Sequence, residues 1–260
     1  MKGALLNPIR FYRADDMPDY LTIFPNFDNT TYGESYFYGV AASPDCIREH
    51  VGDMYLQFVD ETNAGFDVDV YKLNDSNVFE MIDEINSVDI SPVGWVTDQI
   101  HKITLTELED GIYYLKVDDY TSDVFRITSS TTVTEDLVKV KYLNTYNDYG
   151  CIFGTNYFEA YFRGNLKKGE SKIDVEAFES DRGIPVKLRA TPQRTAILNI
   201  LGIHQNYKEL VEMIFSCNDI TINGVAYENM EAPSFDAIEG SDLANISIKL
   251  VQTNNDYYHG

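Results

Sequence analysis

Glu109-Asp110-Gly111-Ile112-Tyr113-Tyr114-Leu115-Lys116-Val117 is the stretch on which the fold turns. Asp110-Gly111 is a turn signal, because glycine reaches backbone conformations that other residues avoid. Beyond it, Tyr113, Leu115 and Val117 recur with the period of two that places residues on one face of a strand. The pattern predicts a strand over Ile112–Val117 with those three side chains in a core. Leu105 and Leu108, just upstream, are the expected neighbours in that core.

The spacing Glu109-x-Gly111-x-Tyr113-x-Leu115 resembles the acidic-x-small-x-Tyr-x-Cys segment at the tyrosine corner of immunoglobulin-like folds. Leu115 stands at the cysteine position, and Tyr113 is expected to be buried with its hydroxyl bonded to nearby backbone. Outward from the corner, more strands are legible. Met54–Val59 is one, and Phe66, Val68 and Val70 alternate with Asp67, Asp69 and Tyr71 in another. Ile103 and Leu105 alternate with threonines, and Val124–Thr128 follows. Residues 36–128 are therefore read as an Ig-like β-sandwich. Trp95 lies too close before Tyr113 to be the usual core tryptophan of such a fold.

From about residue 129 the texture changes to a second β-rich α+β domain reaching residue 260. Strands are predicted at Leu137–Leu143, Tyr157–Arg163, Ile173–Phe178 and Ile184–Ala190. Tyr207, Leu210, Val211, Ile214 and Phe215 then fall at helical spacing, which predicts one packed helix within about 204–217. Asn223-Gly224 lies between Ile220, Ile222 and Val225, Tyr227, a strong hairpin signal because both turn positions need positive φ. Ile246–Val251 is the terminal strand. Residues 1–35 have no period of their own but are rich in aromatics. They are read as an extended arm, with Phe11, Tyr12, Tyr20, Phe24 and Phe27 as candidate interface residues.

Charge narrows the function. Asp and Glu number 42 against 20 Lys and Arg, a net charge of −22. Nucleic-acid binding requires cations to neutralise phosphates, so it is not expected; an anionic membrane surface is disfavoured for the same reason. No window approaches the roughly 18 apolar residues of a membrane span. The 19 Tyr and 14 Phe argue against a disordered chain. The charge is uneven: residues 1–130 carry net −16, whereas the window 160–195 carries +3. Lys167 and Lys168 in that window are candidate interface residues for an acidic partner surface.

Chemistry is hard to find. Cys46, Cys151 and Cys217 are far apart, and no Cys or His pair has metal-ligand spacing. There is no nucleophile elbow and no phosphate loop. Asp67 and Asp69 share one strand face, the one carboxylate pair that a hydrolase would use. Alternate acids on a solvent face are the simpler meaning. No catalytic residue, cofactor or metal is expected.

The C-terminal sequence NYKELVEMIFSCNDITINGVAYENMEAPSF, continued by SDLANISIKLVQTNNDYYHG, resembles a recurring ending in tail-region structural proteins of phages and prophages of Bacteroidota. The residues that carry the likeness are Leu210, Met213, Asp219, Ile220 and Ile222, then Asp242, Leu243, Ala244, Ile246 and Ile248. The resemblance implies a non-enzymatic building block of a tail, baseplate or connector ring. It would be assembled in a host cytoplasm, located in the virion, and partnered by copies of itself and other tail or connector proteins. The alternative is a carbohydrate- or protein-binding β-sandwich module using exposed Tyr and Trp95.

Overall fold

Alternating apolar residues build strands almost throughout, and one α-helix lies among the described residues. The structure is a computed structural model that describes residues 2–3, 8–9, 11–13, 48–50, 52–59, 67–76, 78–89, 98–128, 137–143, 158–179, 185–240 and 243–253. The first half contributes β1 (Lys2–Gly3), β2 (Phe11–Arg13), β3 (Arg48–His50), β4 (Met54–Val59), β5 (Asp67–Leu73) and β6 (Phe79–Asn86). After these come β7 (Val88–Asp89), β8 (Asp98–Ile103), β9 (Gly111–Val117), β10 (Tyr120–Ser122) and β11 (Phe125–Ile127).

Two sheets enclose the first core. One has the order β1-β4-β8-β7; the other is centred on β9, which pairs with β5 on one side and with β10 and β11 on the other. Met54, Leu56 and Ile103 come from the first sheet, and Val68, Val70, Leu115, Val117 and Phe125 from the second. All belong to one apolar cluster, so the sheets form a sandwich. The expected corner is present: Tyr113 is 0% exposed and its hydroxyl donates to Glu109 O at 2.7 Å. Leu115 N–H donates to Ser122 Oγ at 2.9 Å, and Ser122 Oγ in turn donates to Asp123 O at 2.8 Å. Ser122 thus satisfies a buried donor where β10 gives way to β11.

The predicted arm is partly built into this sandwich. β1 pairs with β4, and β2 pairs with β10, so Phe11 faces Ser122 and Tyr12 faces Thr121 in the ladder. Ile9 is buried in the same core, with Phe11 packed against it. Tyr20, Phe24 and Phe27 lie outside the described residues, as do Trp95, Cys46 and Cys151.

The second half contains β12 (Leu137–Leu143), β13 (Phe158–Glu179), β14 (Pro185–His204), α1 (Lys208–Phe215), β15 (Asp219–Ile222), β16 (Val225–Asn229), β17 (Ser234–Ala237) and β18 (Leu243–Gln252). Pairing runs β14-β13-β12-β15-β16-β18, and β18 returns to pair with β14, which closes a six-strand barrel. β17 lies outside the ring on β18. Asn223 and Gly224 have φ of 49° and 83°, as their hairpin requires. Asn223 also docks on β12: its N–H donates to Lys139 O, and its Oδ1 accepts from Lys139 N–H. β14 and β15 are opposite members of the ring, so α1, which joins them, crosses one end. It buries Leu210, Val211, Met213, Ile214 and Phe215 in the barrel core.

One expectation needs correction. Tyr157–Arg163 and Ile173–Phe178 do not form separate strands; β13 runs unbroken for 22 residues, and β14 for 20. Irregularities replace the expected turn. At Gly164 a Cβ would collide with the backbone of Asn199, and the register shifts between Lys168 and Ser171. These positions bend the strand without ending it.

The two halves meet at a polar-aromatic contact. β13 lies against β3 and β4. The His50 ring meets Tyr161 edge-on at 5.5 Å and Phe125 at 6.2 Å. Its Nε2 donates to Gly52 O at 3.1 Å, which sets the tautomer because a carbonyl only accepts. The Tyr161 hydroxyl donates to Glu159 Oε2, and Glu159 holds ion pairs with Lys139 at 2.5 Å and Lys141 at 2.7 Å. Burial pushes the Tyr161 hydroxyl far above its ordinary range. Burial would also raise the Glu159 carboxyl, but the two ammonium groups outweigh it and hold the carboxyl below its usual value.

Three outcomes follow from this packing. Tyr113→Phe removes the bond that the buried hydroxyl donates from within the core to the part-buried Glu109 carbonyl. It should cost about 1–2 kcal/mol in denaturant unfolding, with the fold retained by circular dichroism. Gly164→Ala should destabilise by more than an exposed Gly→Ala exchange, because the obstacle is backbone and has little room to move. Glu159 has a depressed folded pKa, so its stabilisation is complete above the unfolded carboxylate value and is lost as pH falls through the folded one. Thermal melting of Glu159→Gln should therefore depend less steeply on pH than the parent chain between about pH 5 and pH 2.

Candidate functional site at the barrel mouth

Away from α1, the barrel opens into a cleft of about 470 Å³. Leu166, Lys168 and Gly169 come from β13, Arg194, Thr195 and Ala196 from β14, Tyr227 from β16 and Gln252 from β18. The floor is apolar because it is the top of the barrel core: Leu166 and Tyr227 pack directly against the buried cluster. Lys168 and Arg194 are exposed and set a basic rim in a chain whose net charge is −22. Burial raises the Tyr227 phenol above its ordinary value, so at neutral pH it is a hydroxyl donor.

The cleft exists because the hairpin leaves the barrel there. Among the described residues, β12 follows β13 only to Arg163, and β18 follows β14 only from Thr195. From Ser171 to Glu179 and from Pro185 to Arg194, among the described residues, the two strands pair only with each other. At roughly 3.3 Å per residue, this two-stranded ribbon is about 30 Å long. Pro192 is accommodated because, among the described residues, each ribbon strand has a second edge without a ladder. The root is held by a short bond from Thr195 Oγ1 to Glu170 O at 2.6 Å, across the bulge at Gly169. Gly169 is needed there, since a Cβ would collide with the Thr195 side chain.

Of the two lysines singled out by charge, only Lys168 lines the cleft; Lys167, one residue along the pleat, is exposed elsewhere. Arg194, Tyr227 and Gln252 were not legible as partners of Lys168. They are 26 or more residues distant in sequence; the β13–β14 ladder brings Arg194 across, and ring closure brings Tyr227 and Gln252. Tyr113 and Leu115 are core residues, remote from solvent. Asp67 is exposed and Asp69 half-buried on β5, opposite the buried Val68 and Val70, which places both carboxylates on the outer face of the sandwich.

Among the described residues, the cleft lining contains no carboxylate, imidazole or thiol. What it offers chemically is recognition: two cations and a phenol above an apolar floor suit an anionic group carried beside apolar side chains. Among the described residues, no group of three or more His, Cys, Asp and Glu is placed to hold a metal ion. No helix among them is long and apolar enough to cross a membrane. No protein-family model matches the chain, and no curated protein matches it.

Proposed function

We propose that this chain is a non-enzymatic virion structural protein, one building block of an oligomeric, ring-forming tail, baseplate or neck assembly of a tailed phage. The observation that carries the reading is the ribbon formed by β13 and β14. An isolated two-stranded hairpin is marginally stable at best. A chain that extends one beyond its own barrel supplies a surface for a neighbour to complete. The ribbon also sits in the basic window of an acidic chain, so the neighbour it fits is acidic.

The C-terminal likeness adds support from a different direction. Its residues are the ones that close the barrel: Leu210 and Met213 on α1, Ile220 and Ile222 on β15, and Ala244, Ile246 and Ile248 on β18 are all buried. A shared ending of this kind belongs to a shared scaffold, to which an assembly surface is then attached. The second reading, a binding module, rests on the aromatic cleft at Tyr227 and would take a small acidic ligand or peptide in a monomeric protein.

Native mass spectrometry of the full chain separates the two. A defined oligomer of several copies is expected, and raised salt should weaken it because exposed charges are screened. A chain that stays monomeric at every accessible concentration would sink the assembly reading. Replacing residues 172–193 with a two-residue Asn-Gly turn, which joins Ser171 to its partner Arg194, should leave the barrel folded while weakening assembly at least tenfold. Assembly equal to that of the parent would show that the ribbon is not what a neighbour completes.

A further inference from the structure

β6 combines the charge and the bulge that discourage a like strand from adding to an edge with two large apolar side chains left in water. Among the described residues β6 pairs only with β5, and it is eight residues long. Glu80, Met81, Ile82, Asp83 and Glu84 are all exposed, and Met81 and Ile82, at 49% and 47%, are large apolar side chains in water. The cause is local. Val70 pairs with Asp83 and Tyr71 with Met81, so Ile82 is the extra residue of a bulge and has no partner across the ladder. Two consecutive apolar residues are thereby turned outward between acids.

The barrel mouth is the counterpart of this edge. Gly164–Lys168 of β13 pair with β14 alone among the described residues, because the β12 ladder ends at Arg163. That second edge runs beside a cleft with an apolar floor and a rim of Lys168 and Arg194. One surface is apolar within acid, and the other is apolar within base. Among the described residues, both have a strand edge that no other strand occupies.

We propose that β6 of one copy docks at the barrel mouth of a second copy of this chain. Met81 and Ile82 enter the cleft against Leu166, Ala196 and Tyr227, while Glu80, Asp83 and Glu84 face Lys168 and Arg194. The proposal rests on the self-assembly reading above and names the surfaces that perform it. Donor and acceptor patches differ, so the contact is head-to-tail; repeated, it gives a closed ring or an open filament according to the rotation between copies. The apolar pair supplies most of the affinity, while the charges set encounter rate and register.

Two full-length variants test it. Ile82→Lys with Glu84→Lys alters the edge and keeps the mouth; Lys168→Glu with Arg194→Glu alters the mouth and keeps the edge. All four positions are exposed or nearly so, and melting curves establish that each variant folds. By sedimentation velocity each variant alone should associate at least tenfold more weakly than the parent. Mixed in equal amounts, they should form one-to-one pairs that grow no further, since only one intact edge and one intact mouth meet. Folded variants that assemble like the parent, or a mixture that stays monomeric, would overturn the proposed surfaces and leave self-assembly standing. A parent chain that is itself monomeric would overturn both.

Discussion

Closure of the barrel by the β14–β18 ladder is the constraint on which the second half depends. The ladder runs from Thr195 opposite Val251 to His204 opposite Leu243, with one irregularity between Ile200 and Ile203. Once β18 occupies that edge of β14, the ring is complete and its interior must be filled. Ala196, Leu198 and Ile200 meet Ile246, Ile248 and Leu250 inside, and α1 packs its apolar face onto the same core. Among the described residues, the part of β14 N-terminal to Thr195 has no partner in β18. The ribbon, its root at Gly169 and the cleft beside it are consequences of where this one ladder stops.

Much of this was legible where side-chain period is undisturbed. The corner at Tyr113, the strand at Leu137–Leu143, the helix around Leu210–Phe215 and the hairpin at Asn223-Gly224 each carry their own local signal, and each is found. The failures are equally local. Lys167-Lys168-Gly169-Glu170 has the composition of a turn, yet it is a bulge within one strand, held by Thr195 from the facing strand. β6 reads FEMIDEIN, whose adjacent Met81 and Ile82 break the alternation of a strand; the bulge opposite Val70 and Tyr71 is the reason. Only half of the cleft could be anticipated, since charge marks Lys168 while its partnership with Tyr227 is created by ring closure.

The two halves are joined without an extended apolar interface being needed at the contact described. His50 stands between the Phe125 ring of the sandwich and the Tyr161 ring of the barrel, with its donor already engaged by backbone. On the far side of Tyr161, Lys139 lies 5.4 Å from the ring centre and is paired with Glu159. Such a chain of ring and charge contacts has fixed geometry, because each polar member is held by a second partner: His50 by Gly52 O, Tyr161 by Glu159 and Lys139 by Glu159. It relates the acidic sandwich and the basic-rimmed mouth through a specific contact, which an assembly built from both surfaces requires.

The sign of the charge on β6 also decides which contacts are forbidden. An exposed apolar edge invites pairing with an identical edge, which would give a two-fold dimer. Here that pairing would set Glu80, Asp83 and Glu84 of one copy against the same acids of another, and like charges directly opposite are destabilising. A mouth-to-mouth contact fails for the mirrored reason, with Lys168 and Arg194 facing themselves. Only the unlike pairing joins apolar surface to apolar surface without charge conflict. Acids on one edge and bases at one mouth therefore disfavour the two symmetric dimers relative to the proposed head-to-tail contact, the one of the three that would let every copy bind two neighbours.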